Sequence, residues 1–266
     1  MAIITISRGS YSKGKEVAEG VAEKLGYDLI SRDLILEASQ KFNIPEVKMV
    51  RAIHDGPGIL DRFGSHKRQY VSFFQSALLE RVKDDNVVYH GLAGHFLLQG
   101  ISHVFKVRIV ASIDERAALE AEREKISVEE AKKLLKKDDE ERRKWGMSLY
   151  GMDSHDPSLY DMVLRVKTLT VDDAVDIISH SAKLEHFQKT DDSQATLENM
   201  LLSAQVRNRL VDEYPEVEVS VDKGEVLVKV KGLMDQEKKL NETIKENISN
   251  IPGVKNCSVD VLYMDV

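Results

Sequence analysis

The sequence predicts an α/β domain, a parallel sheet flanked by helices, followed by a small α+β module. Three observations carry that expectation. Over residues 1–182, short apolar runs of strand type alternate with longer helical patterns. A polar, poorly patterned stretch at 183–194 (KLEHFQKTDDSQ) then interrupts the alternation and reads as a linker. Beyond it, over 195–266, the order changes to α-β-β-α-β.

The first run, Ile3 to Ser7, is apolar and of β type. A glycine-containing turn covers Arg8 to Gly14. Lys15 to Leu25 then places Val17, Val21, Ala22 and Leu25 on one side of a helix, and Gly26 stands where a left-handed cap ends one. Strand, loop and helix in this order open a β-α-β unit. Phe73 to Val82 predicts a helix leading to a buried strand at Asn86 to Tyr89, with a second buried strand at Val107 to Ala111. Charged, partly amphipathic helices follow at Asp114 to Glu124 and Val128 to Lys144. Met162 to Val166 reads as the last strand of this part and Val171 to Ser181 as its closing helix. In the C-terminal part a helix, Leu197 to Tyr214, precedes two alternating runs, Val217 to Val221 and Val226 to Val230. Asp222, Lys223 and Gly224 between them signal a hairpin. A helix at Met234 to Ile248 and a strand at Val254 to Tyr263 complete the module.

The 266 residues suffice for one substantial core and a small second domain. With 42% hydrophobic and 31% charged residues, the composition is that of a globular chain rather than a disordered one. A net charge of -7 argues against binding duplex nucleic acid through bulk electrostatics. The single cysteine, Cys257, forbids an intramolecular disulfide and a Cys-based zinc site within one chain; it reads as a small packed residue in a reducing compartment. No run approaches the ~18 apolar residues of a membrane span, and the first residues lack a basic stretch followed by a long apolar one. The expectation is a soluble, cytoplasmic protein with no stable membrane insertion.

The segment Gly9-Ser10-Tyr11-Ser12-Lys13-Gly14-Lys15 fits G-x-x-x-x-G-K, the first seven positions of a Walker A motif. Glycines let the backbone curl so that successive amides point into one concavity. The following helix adds the positive end of its dipole, and Lys15 reaches the outer phosphates. Glu16 stands where the motif has Ser or Thr for Mg²⁺. The alternative is a glycine-rich turn that merely joins a strand to a helix. The histidines His54, His66, His90, His95, His103 and His155 are scattered, and no metal site is expected. No Ser-His-Asp pattern or G-x-S-x-G elbow is visible. Tyr160 reads as a core aromatic with its hydroxyl paired at the surface.

Several dispersed segments together resemble the cytidylate-kinase-like family. Ile4-Thr-Ile-Ser-Arg-Gly, Lys15-Glu-Val-Ala and Leu25-Gly-Tyr are similar to the family's I-T-I-S-R, R-E-I-A and L-G-Y, so Glu16 is what the family shows at that place. Ser31-Arg32-Asp33-Leu34-Ile35 resembles D-R-E-L-I. Val87 to Ala93 resembles a strand followed by G-R-G-A. Asp139, Arg142 and Trp145 resemble D-x-x-R-x-x-Y, and Tyr160 to Leu164 resembles Y-D-L-V-L. The departures are Ser31 for Asp, Leu92 for Arg and Arg165 for Asn.

The resemblance implies a P-loop-type fold and an ATP-dependent phosphotransferase that uses Mg²⁺. Its acceptor would be a nucleoside monophosphate or a related small molecule. In that frame residues Gly9 to Glu16 hold the donor phosphates, and Arg142 closes from a helical lid, with Asp139 orienting it. Arg116 and Arg123 share that task, Arg8 supports the loop, and Arg32 and Asp33 meet the acceptor. Residues 43–72 would be the acceptor-binding insert; the plain reading is a connector between helices. For the arginines of the lid, the plain reading is a solvated helix face with i,i+4 pairing. Residues 193–266 resemble a BON domain, through Lys223-Gly-Glu-Val and Ile251-Pro-Gly-Val; such domains are associated with membrane surfaces or small ligands. The three departures leave a non-catalytic nucleotide sensor as the alternative, with a ligand or partner at the C-terminal module, and a purely structural protein as a third reading. A homo-oligomer stays open.

Overall fold

The structure, a computed structural model, describes residues 2–9, 13–56, 66–233 and 237–263. Ser10, Tyr11 and Ser12 of the predicted phosphate loop therefore lie outside the described residues. So do 57–65 of the predicted insert and the predicted helix start at Met234.

Five strands form a parallel sheet: β1 (Ile3–Arg8), β2 (Asp28–Ile30), β3 (Val87–Tyr89), β4 (Val104–Val110) and β5 (Met162–Arg165), in the order β2-β3-β1-β4-β5. Every neighbouring pair in it is parallel. β1 lies at the centre and is buried along nearly its whole length, as an apolar run flanked by strands on both sides must be. Its side chains alternate between two cores. Ile4 and Ile6 pack with α1 (Gly14–Leu25) and α8 (Val171–Ser181). Ile3 faces the layer built by α2 (Asp33–Lys41), α3 (Glu46–His54), α4 (His66–Val82) and α5 (Gly94–Leu97). The two helices on the first face meet closely: a Cβ on Gly20 would lie 2.7 Å from Val175 Cγ2.

α1 begins and ends as its sequence implies. Gly26 adopts φ 67 and returns its amide to the carbonyls of Ala22 and Glu23. α6 (Ile113–Glu124) and α7 (Val128–Tyr150) form an antiparallel hairpin around Ala117, Ala131 and Leu135. Ser112 and Ser127 each start a helix with a complete capping box. Trp145 anchors α7 to the body, donating from Nε1 to the carbonyl of Ala52 at 2.7 Å.

The stretch 183–194 is docked onto the body. It contains a 3-10 turn at Glu185–Phe187, whose Phe187 ring packs on Phe105 at 4.4 Å. Thr190 then caps α9 (Asp191–Leu210), which starts six residues before the expected Leu197. A second antiparallel-then-parallel sheet follows: β6 (Glu218–Asp222), β7 (Glu225–Gly232) and β8 (Asn256–Tyr263), with α10 (Glu237–Ile248) packed against it. α9 serves both interiors. Leu197, Ala204 and Val211 join the core of the first sheet, whereas Leu202, Val206 and Leu210 join that of the second. A buried polar chain fixes its first turn. Ser193 Oγ lies 2.7 Å from His103 Nδ1, and Asp85 lies 3.2 Å from His103 Nε2 and 3.0 Å from the Lys189 ammonium. Burial, despite Asp85, holds the His103 pKa below its ordinary value. Among the described residues, no helix is long and apolar enough to cross a membrane.

Candidate phosphate-binding cleft

In a parallel sheet with helices on both faces, ligands sit at the carboxyl ends of the strands. Here those ends gather Ser7 and Arg8 from β1, His90 just after β3, and Arg108 from β4, the register partner of Ser7. Gly9 follows β1, and Lys13, in the left-handed region at φ 61, precedes α1. Among the described residues no side chain caps α1, and its first helical bond runs from the amide of Val17 to the carbonyl of Lys13. Among the described residues the amides of Gly14, Lys15 and Glu16 thus have no intrahelical acceptor, a helix start suited to an anion. Lys15 and Glu16 are exposed there, and the Lys15 ammonium lies 3.5 Å from Glu19.

Arg8 packs against the start of α1. Its Nε donates to His90 Nε2 at 2.7 Å, and a Cβ on Gly14 would stand 2.7 Å from Arg8 Cδ. Only an unprotonated Nε2 can accept that bond. Burial first, then the charges of Arg8 and Lys15, drives the His90 pKa down to about 4.

The α6–α7 hairpin closes over this end of β1. Arg116, buried on α6, brings its guanidinium against Gly9, where an added Cβ would lie 3.0 Å from Cζ. Asp139 grips it through two bonds of 2.7 and 2.9 Å. Arg142 donates to the carbonyl of Arg8 at 3.3 Å and to Asp138 at 2.9 Å. Beneath it, Tyr160 donates to the carbonyl of Ser154 at 2.9 Å. Its oxygen therefore accepts from His95 Nε2 at 3.2 Å, and His95 Nδ1 accepts from the Ser7 hydroxyl at 2.9 Å. Burial, followed by Arg108 and Lys106, lowers the His95 pKa to about 3, which keeps this ring neutral. Arg108 lies over the Tyr160 ring at 5.3 Å. The cleft so formed is open to solvent and has a volume of about 60 Å³.

Several expectations change at this point. Asp139 does not orient Arg142; it holds Arg116, and Asp138 holds Arg142. The reason is helical spacing. Asp138 lies four residues before Arg142 on one face, whereas Asp139 is turned toward α6. Arg116 belongs to the site, but Arg123 pairs with Glu120 and Glu124 at the exposed end of α6. Arg32 is exposed beside Glu46 at 3.3 Å, and Asp33 accepts from the Ser31 amide at 2.8 Å; neither lines the cleft. Leu92 does line it, and Arg165 lies 3.8 Å from Glu115. Tyr160, His90, His95 and Arg108 were not expected here. For His90, His95 and Arg108 the available signal was position, at or beyond the carboxyl end of β3 or β4; Tyr160, which precedes the amino end of β5, carried no such signal.

Residues 3–168 match the profile of the Cytidylate kinase-like family. The chain belongs to the cytidylate kinase-like family. The family region runs from β1 through β5 and includes the α6–α7 hairpin. The cytidylate kinase of Pyrobaculum aerophilum is 26% identical over 178 residues, covering 66% of this chain and 90% of that protein. That of Pyrobaculum islandicum is 29% identical with the same coverage. Among solved structures, an uncharacterised protein from Eubacterium ventriosum shares the fold with a TM-score of 0.52 at 20% identity, covering 68% of this chain and 98% of that one. The C-terminal sheet and its helices lie beyond the matched family region.

Proposed function

We propose that the chain is an ATP-dependent phosphotransferase that moves the γ-phosphate to a nucleoside monophosphate or a related small molecule. One observation carries the reading: the open amides of α1 and the guanidiniums of Arg8, Arg108, Arg116 and Arg142 converge on the strand ends. Phosphoryl transfer requires positioning and neutralisation of spreading negative charge. The amides of Gly14 and Lys15, with the Lys15 ammonium, suit the donor's outer phosphates; Ser10, Tyr11, Ser12 and Lys13 complete the loop in this reading. Arg142 and Arg116 stabilise the transferring group from the closed hairpin, with Asp139 holding Arg116. Arg108, neutral His95 and Tyr160 face the acceptor side, and Arg32 and Asp33 would reach it only after rearrangement. Glu16, exposed at the start of α1 where the motif has a hydroxyl, would help hold Mg²⁺, and the ion would supply charge neutralisation at the donor phosphates. In this reading the protein is cytoplasmic.

A second reading has a specific basis. Leu92 lines the cleft at a position where the family's G-R-G-A carries Arg, and α9 is shared by two cores. A non-catalytic sensor could use that helix to pass nucleotide binding to a BON-like ligand or partner module. Coupled measurement of ADP release with Mg²⁺, ATP and a panel of nucleoside monophosphates separates the two. A kinase gives acceptor-dependent turnover, on the order of 1–100 per second. A sensor gives a nucleotide-dependent rise in Tm and no turnover with any acceptor.

A further inference from the structure

His54 ends α3 outside the cleft lining, with its ring between two carboxylates. Nδ1 lies 3.0 Å from Asp55 Oδ1 and Nε2 lies 3.1 Å from Asp138 Oδ1. An ionised carboxylate only accepts, so both contacts are hydrogen bonds only when the ring carries both protons. The second oxygen of Asp138 accepts from Arg142 at 2.9 Å, and Arg142 reaches the Arg8 carbonyl at 3.3 Å. A continuous line of charge-assisted contacts thus runs from α3 through α7 to the phosphate loop.

We propose that the His54 imidazolium is a positioning residue that sets Arg142 against the Arg8 carbonyl at the end of β1 by fixing Asp138. The proposal rests on the kinase reading above, and it adds a proton held outside the cleft on which transfer depends. The charges facing His54 are Asp55 beside it and Asp138 and Arg142 from α7; nearby, Lys67 of α4 binds the Asp55 carbonyl at 2.5 Å, and Glu141 accepts from the Gly56 amide at 3.0 Å. With His54 protonated, two cations balance two carboxylates. Without the proton, one carboxylate faces a lone pair, and the restraint that His54 places on Asp138 weakens. The Trp145 bond to Ala52 and the Glu141 bond to Gly56 keep α7 docked in either state, so the effect is local.

The Asp138 bond, then Asp55, raises the His54 pKa above 6.5 against burial and Arg142. The contribution of a raised histidine is complete below the unfolded value and is lost as pH rises through the folded one. kcat is therefore expected to fall on the alkaline side of the His54 pKa, with KM for ATP little changed. His54→Gln lowers kcat about tenfold to a hundredfold at neutral pH and flattens that limb. His54→Arg, a permanent cation, restores much of kcat at high pH. An NMR titration of the His54 ring in the full chain, repeated in Asp138→Asn, gives a readout independent of turnover. The raised pKa should drop in that variant. A His54 pKa at or below 6.5, or one indifferent to Asp138→Asn, overturns the pin. An active wild type whose kcat and pH profile are unmoved by His54→Gln overturns the positioning role while the kinase reading stands. A wild type without turnover removes both.

Discussion

Lys15→Ala is expected to abolish the rise in Tm that ATP confers on the wild type, while leaving the Tm of the unliganded protein almost unchanged. The two halves of this result have separate causes. Without ligand, the Lys15 side chain is 69% exposed and, among the described residues, pairs with Glu19 at 3.5 Å. An exposed pair of this kind contributes about 0–1 kcal/mol. With ligand, the ammonium becomes the mobile charge of an anion site whose other donors at the start of α1 are backbone amides. Saturating ligand at a hundred times its Kd stabilises by roughly 2.7 kcal/mol, and a hundredfold loss of affinity removes most of that. Glu19→Gln is the control: it frees Lys15 from its resting partner and should leave the ligand-induced shift equal or larger. Differential scanning fluorimetry with and without ATP reads both variants. A Lys15→Ala protein that still shows the wild-type shift would remove the phosphate site from the loop.

Asp139→Ala has the largest expected effect on stability. The Arg116 side chain is 8% exposed, and Asp139 holds it in two bonds across the hairpin. Breaking a buried ion pair by deleting one partner leaves an uncompensated charge and costs about 3–5 kcal/mol. Asp139 is itself 22% exposed, so solvent screening puts the loss at roughly 3 kcal/mol, near the lower end of that range. Urea unfolding measures it. Asp139→Leu combined with Arg116→Met should recover most of the stability, since an apolar pair of similar volume is commonly tolerated where a lone charge is not. The double variant should nevertheless bind nucleotide poorly, because the guanidinium beside Gly9 is gone. Equal stability of Asp139→Ala and wild type would mean that other partners or water already satisfy Arg116.

How much of this was legible in the sequence depended on whether the deciding interaction is local. Residues Gly14–Leu25 form a helix because their apolar spacing, their glycine cap and the preceding strand all lie within one short window. The same holds for Val171–Ser181, whose ends match the expectation residue for residue, with Thr170 and Asp173 closing a capping box. α9 was placed too late because its box pairs Thr190 with Ser193 rather than with Glu or Gln, inside a segment polar enough to read as a linker. α4 extends back to His66, ahead of the expected Phe73, and Ser72 near its middle bonds Asn208 of α9, 136 residues away. The cleft follows the same division. Its loop is a contiguous motif and could be found. Which of two adjacent aspartates faces Arg142, and that His95 meets Tyr160, are decided by how α7 and β5 are brought against β1.

One helix completing two interiors has a consequence for solubility. A fragment ending at residue 182 contains the whole matched family region, yet it lacks Leu197, Ala204 and Val211, which roof its own core. Such a fragment carries a bare apolar stripe along α4 and should sediment as aggregate, whereas one ending after Leu210 should stay partly soluble. Removing either module from this chain bares the apolar stripe of α9 or the face it covers, so α9 couples the solubility of the two.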